Sequence, residues 1–241
     1  MAAPPPSARR LVRLSRLAAG SLVAVMLADL LAICAEFFYV EHLRSVAPST
    51  IVAESELVLP EVFILLAALL QIAALASAGV TFLKWLRQAY VNVPAITGRE
   101  TDQHDAWAIW AFFVPILCLF RPQMIVREIW DSAERMWLLG DERAQGRMPP
   151  KDCVNLWWGL FLGSVIVDNV INLGTSGAAT ASDTRSAITL YLMADVLDVP
   201  SAIVAIVLVH RVTELQVPLL AEPAASVPWA PAGGSVVRTG N

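Results

Sequence analysis

The sequence predicts an all-α, polytopic transmembrane helical bundle, and three observations lead there. Hydrophobic residues make up 57% of the 241-residue chain and charged residues only 16%, where a soluble domain carries about 25% charge. Mean hydropathy is +0.62. Four apolar segments of roughly 20 residues, 17–40, 61–83, 154–174 and 187–209, match a hydrocarbon core of ~30 Å at ~1.5 Å of rise per residue. A soluble core of this size needs no apolar runs of that length.

The balance of charge is informative mainly through where it lies. A net charge of −4 is small, and the basic residues are spread through loops rather than gathered into a stripe, which excludes a nucleic-acid footprint. Cys34, Cys118 and Cys153 stand far from one another and from the three histidines, and no CxxC spacing occurs. No zinc site, disulfide framework or cofactor is expected from that pattern. GxSxG, HExxH, P-loop and GxGxxG motifs are absent from the sequence. His104, near Asp102 and Asp105, sits in a hydrophilic turn without a nucleophile, so no catalytic residue is assigned and the chain is not read as an enzyme.

Residues 1–16 form a basic, Pro-rich N-terminus with Arg9, Arg10, Arg13 and Arg16. They resemble the n-region of a signal peptide, but the apolar run that follows is longer than the usual 7–15 residues. Ile33 stands where a lipoprotein cleavage site before Cys34 requires a small residue. The first segment is therefore read as a retained span. Pro60 and Glu61 open the second, with proline and acid where a helix start tolerates them. That segment ends on Lys84, Trp85 and Arg87, read as an interfacial anchor on a basic side of the membrane, and Trp157-Trp158 is read as a further aromatic belt.

Between the second and third spans lies the Trp- and Pro-rich stretch that decides the topology. Its uninterrupted apolar part, residues 106–120, is about 22 Å long as a helix, short for a span, and Pro115 interrupts it. After Pro122 the pattern becomes amphipathic, with Met124, Ile125, Ile129, Ala133, Met136 and Trp137 on one face and Arg127, Glu128, Asp131, Glu134 and Arg135 on the other. If the stretch does not cross, all but Arg44 and Arg185 of the 17 Lys and Arg residues lie on one side. A crossing would divide them almost equally. The positive-inside rule thus favours four spans, both chain ends cytoplasmic, and a re-entrant or interfacial segment over 105–138, with five spans as the alternative. Gly146 to Pro150 reads as a turn, residues 17–216 as the membrane domain, and 217–241, rich in Pro, Ala and Gly, as a disordered tail.

Several stretches resemble one bacterial membrane-protein family, the domain of unknown function 4328. Residues 85–92, WLRQAYVN, are similar to its WLYRAxxN-type element. Residues 107–115, WAIWAFFVP, with 120–130, FRPQMIVREIW, are similar to its WAxxWWFxP…RPxQxMREIW core. Trp157-Trp158 and Arg211 to Gln216 resemble later elements. Two departures are Asp105-Ala106 in place of Pro-Gly before the first Trp, and Cys118 where the family often has Asn nearby. The resemblance implies a helical fold in a bacterial inner or plasma membrane and carries no activity.

Acid inside the spans is the unusual feature. Asp29 and Glu36, Asp168 with Asn172, and Tyr191 with Asp195 and Asp198 each share a helix face, with Asn169 and Gln71 as further polar residues and no Lys or Arg deep in any span. An intramembrane charge costs at least ~2.5–3.5 kcal/mol, so such groups face the bundle interior or water. Asp29, Asp168, Asn172, Asp195 and Asp198 are the candidate polar site. They either hydrogen-bond between helices as packing, worth about 0.6–2 kcal/mol each, or bind a cation or relay a proton. Trp107, Trp110, Pro115, Arg121, Pro122, Arg127 and Trp130 are the candidate lipid- or partner-facing motif. Arg there can grip lipid phosphate or, more simply, Arg127 can pair with Asp131. The expected partners are the bilayer, with anionic headgroups or another membrane protein. The function expected is a non-catalytic interaction, sensory or accessory module, with a small proton- or cation-coupled carrier as the alternative.

Overall fold

A computed structural model describes residues 5–44, 58–140, 151–175 and 180–221. The helices are α1 (Pro6–Leu43), α2 (Val58–Val91), α3 (Val93–Thr97), α4 (Trp107–Trp110), α5 (Arg121–Gly140), α6 (Asp152–Thr175) and α7 (Ala181–Ala221), with a 3-10 turn at Leu117–Leu119. Four of them, α1, α2, α6 and α7, are long and apolar enough to cross a membrane. The turn expected at 146–150 and most of the tail expected at 217–241 lie outside the described residues. Residues 217–221 of that tail are helical, since α7 runs past Pro218.

Three of the four long helices extend well beyond the apolar segments. Helix α1 begins at Pro6, a first-turn position where a missing N–H costs nothing, and takes in Arg9 to Arg16. Such lengths fit helices that project past the hydrocarbon into the headgroup layer and beyond it.

The long helices stand in a row: α2 against α1, α1 against α7, α7 against α6. Their facing surfaces are made of small side chains. Ala18, Ala28 and Ala32 of α1, Ala74 and Ala78 of α2, and Ala194, Ala202 and Ala205 of α7 are buried. Lipid tails are as apolar as leucine, so backbones gain by approaching closely rather than by hiding large side chains. The large ones point outward instead, among them Phe63, Leu66, Ile72 and Leu75 of α2 and Val170 and Leu173 of α6.

Successive long helices alternate in direction. One core cluster joins Leu11 of α1, Trp85 of α2, Trp157 of α6 and Leu208 of α7, with Ile129 and Trp130 of α5. A second, at the opposite end, joins Tyr39 and Leu43 of α1 to Ala181 and Ile188 of α7. The start of α1, the end of α2, the start of α6 and the end of α7 therefore share one end of the bundle with α3, α4 and α5. This is the packing that four alternating spans require.

The central stretch forms no helix long enough to cross a membrane. After the single turn of α4 the chain breaks at Pro115, and the amide of Leu117 closes back on the Pro115 carbonyl at 2.8 Å. That places Ile116 at φ 68° and ψ −50°, a γ-turn geometry that β-branched residues rarely adopt. Trp110, Phe113 and Ile116 stand exposed on this tip at 60, 63 and 73%. Beyond it α5 lies on the other helices, touching α3, α7, α6 and α2.

Two tryptophan expectations are corrected. Trp85 is no interfacial anchor: it is fully buried, and its indole N–H donates to Thr213 Oγ1 at 3.1 Å. Trp157 and Trp158 form no outward belt, because they stack with Phe161 inside the core, where Trp158 Nε1 donates to the Leu119 carbonyl. The apolar face of α5 is also rotated from that expected. Met124 is exposed, while Val126 and Trp130 join Ile125, Ile129, Ala133 and Met136 in burial.

Thr213→Val keeps the shape of the side chain and removes the acceptor of the Trp85 N–H. The stranded buried donor should cost about 1–3 kcal/mol, read as a lower midpoint of thermal unfolding in detergent.

Candidate functional site

The candidate intramembrane residues fall into two sets. Asp29 on α1 and Asp195 on α7 converge on one side chain, Gln71 of α2. Its amide nitrogen donates to Asp29 Oδ1 at 3.2 Å and to Asp195 Oδ1 at 3.0 Å. Both amide hydrogens are thereby used, and one neutral group ties three helices. Asp29 Oδ2 and Asp195 Oδ2 are buried without a partner, as is Glu36 Oε2 a further two turns along α1. Asp168 of α6 and Asp198 of α7 lie close enough for their charges to act on Asp29 and Asp195. Ser164 of α6 approaches Asp198.

Asn172 stands apart from this junction. Its amide nitrogen donates to the Asp168 carbonyl at 2.8 Å, and its oxygen accepts from the Tyr191 hydroxyl at 3.0 Å, on the exposed side of the α6–α7 pair. Asn169 likewise donates back along α6, to Val165 O. Both amides are used to tie their own neighbourhood.

Sequence reading placed Gln71 among the polar residues without seeing that it is the hub, and it missed Ser164. The available signal was that Gln71 is the one amide in the α2 segment 61–83, whose other residues are apolar or small apart from its terminal Glu61. Among the described residues no three His, Cys, Asp or Glu side chains come together as a metal site.

The second set builds the end of the bundle that holds α3, α4 and α5. Glu128 of α5 accepts from the Tyr90 hydroxyl at 2.8 Å and, through its other oxygen, from the Asp102 amide at 2.8 Å. Tyr90 in turn accepts from the Gln103 amide at 3.1 Å. Arg121 donates to Gln103 Oε1, and its guanidinium lies 5.1 Å from the centre of the Trp107 ring. Buried Gln216 of α7 donates to the Ala89 carbonyl at 2.9 Å. The loop from α3 to α4 is thus bound to α2 and α5 through fixed polar contacts.

Several motif residues serve this packing rather than an outer surface. Trp130 is 1% exposed, and Pro122, in the first turn of the same helix, is buried. Trp107 is half-buried under Arg121, while Trp110 and Pro115 are exposed. Arg127 does not pair with Asp131. It donates to Asn155 of α6 at 2.5 Å, and Asp131 takes Lys151 at the same distance, so each side chain bridges to the segment around the start of α6 rather than along α5.

A family model described as a domain of unknown function, DUF4328, matches residues 49–214. The chain belongs to that family. The matched segment takes in α2 to α6 and nearly all of α7, and leaves α1 outside. No curated protein and no solved structure matches the chain. The stretches that carry the DUF4328 resemblance meet in the capped end just described, where Trp85, Tyr90, Trp107, Arg121, Glu128 and Gln216 hold the short helices on the spans.

Two outcomes follow for stability. Gln71→Leu leaves Asp29 and Asp195 without their shared donor and should cost about 1–3 kcal/mol in a detergent melt; an unchanged midpoint would show that the amide is not what joins the helices. At the capped end, the Arg87 hydrogen bonds hold the Asp105 carboxyl below its usual 3.8, with His104 alongside. A lowered carboxylate stabilises the fold above its unfolded pKa and loses that contribution as pH falls through the folded value. Arg87→Gln should therefore melt below the parent at neutral pH, and the gap should close as the pH drops below 3.8.

Proposed function

We propose that this protein is a non-catalytic interaction or sensory module of a bacterial inner or plasma membrane, with both chain ends on the cytoplasmic side. The observation that carries the reading is the three-helix junction at Gln71, where one amide binds two carboxyls and leaves an oxygen of each unpartnered. Packing leaves few buried polar atoms without partners, and three carboxyl oxygens, of Asp29, Asp195 and Glu36, are left so along these helices. A junction with open acceptor positions changes its hydrogen bonding when a single proton arrives or leaves, and α1, α2 and α7 all feel the change. The placement of basic residues on the capped end supports the orientation.

A second reading, a small proton- or cation-coupled carrier, is favoured by two further acids, Asp168 and Asp198, in the pair of spans α6 and α7. The two separate in liposomes. Spin labels at Leu27 of α1 and Val207 of α7 should change their separation with pH in the parent protein and not in an Asp29→Asn/Asp195→Asn variant, while an imposed proton or cation gradient decays no faster than in empty vesicles. A flux that the variant abolishes would establish the carrier instead. A label separation that ignores pH in the parent would end the sensory reading.

A further inference from the structure

At the capped end of the bundle, the first turns of α1 carry a feature that neither the carboxyl junction nor the family motif uses. Arg9, Arg13 and Arg16 follow one another at helical spacing and line a groove of about 480 Å³ with Val12 and Leu17 of α1 and Val217 of α7. All three guanidiniums are exposed, and among the described residues none makes an ion pair or a side-chain hydrogen bond. This contrasts with Arg44, Arg87, Arg121, Arg127 and Arg211, each of which has a polar partner. Three unpaired cations on one face of neighbouring helical turns repel one another, so the arrangement is stabilised by an anion.

The groove continues into the apolar surface. Leu17, Ala24, Leu27 and Leu31 run down one stripe of α1, all exposed. Gly20 and Ala24 are small enough to leave a furrow between Leu17 and Leu27, and the position a Cβ would take at Gly20 has open space around it. A headgroup site that opens directly onto a lipid-facing furrow suits a ligand with a charged end and an acyl tail. Free phosphate would use only the first half.

We propose that the groove between α1 and α7 is a binding site for an anionic phospholipid, with Arg9, Arg13 and Arg16 around the phosphate and an acyl chain along the Leu17–Leu31 stripe. Planar guanidiniums hold phosphate oxygens in paired hydrogen bonds, and basic residues at the membrane surface contribute additively to attraction for anionic lipid. The site lies on α1, outside the DUF4328 match. It is independent of the proposed role of the carboxyl junction.

The test uses the full chain, delipidated in neutral detergent and titrated with phosphatidylglycerol, phosphatidylcholine or inorganic phosphate, with retained lipid counted by native mass spectrometry. Phosphatidylglycerol should be retained and the others not. Arg9→Gln/Arg13→Gln/Arg16→Gln should weaken retention about 100-fold and a single change about fivefold. Arg10→Gln, at the same depth but outside the groove, should change it less than twofold. Equal losses from Arg10→Gln and from Arg13→Gln would replace a built site with diffuse surface attraction. Inorganic phosphate competing at lipid-like affinity would overturn the lipid as occupant. To exclude misfolding, Gly20→Leu, which keeps all charges and fills the furrow, should weaken phosphatidylglycerol retention and leave the melting midpoint of the lipid-free protein unchanged; full retention in that variant would overturn the acyl half of the site.

Discussion

Helices surrounded by hydrocarbon gain little by hiding apolar side chains from one another, and this constraint shapes the whole molecule. Association has to come from close backbone approach and from hydrogen bonds that lipid cannot offer. The alanine-lined faces of α1, α2 and α7 provide the first. The second is rationed to a few points: Ser21 with Thr81 at 2.6 Å, Gln71 with its two carboxyls, and Trp85 with Thr213. Every long helix carries large aliphatic side chains outward, the reverse of a soluble bundle.

The capped end and the interior of the bundle are built differently for the same reason. At the capped end, water and headgroups are near, so charged and amide side chains can fold a loop, two short helices and an amphipathic helix onto the spans. Glu128 and Tyr90 accept from the Asp102 and Gln103 backbone amides, which would otherwise lack partners, and Arg121 holds the Gln103 side chain. Deep between the helices such freedom is absent, and each polar residue either meets another or is left with a bare oxygen, as at Asp29 and Asp195.

The four helices long and apolar enough to cross a membrane, and the break in the Trp- and Pro-rich stretch at Pro115, were legible in the sequence, because apolar length and proline act locally. What could not be read was rotation. Trp85, Trp130 and the Trp157-Trp158 pair look like interfacial residues by composition, and only the faces of their helices decide that they are core. For the same reason the acids were visible one by one, while the pairing of Gln71 with both Asp29 and Asp195 was not. That pairing depends on three helices brought together by their alanine faces. Asn172, identical in character on paper, ended on an exposed side of α6 with Tyr191. A side chain's type is written in the chain; its neighbour is a property of the assembled row.

The Gln71 junction also dictates an order of assembly. Asp29 on α1 is made 42 residues ahead of the amide that binds it, and Asp195 follows that amide by a further 124. Throughout synthesis of the capped end and α6, the first two helices hold one carboxyl and one half-used amide. The closing contact belongs to α7, the last of the three joined helices to be made. A nascent chain cut short before α7 would therefore keep two inserted helices with an exposed polar seam between them, a feature by which membrane quality control could tell an unfinished bundle from a complete one.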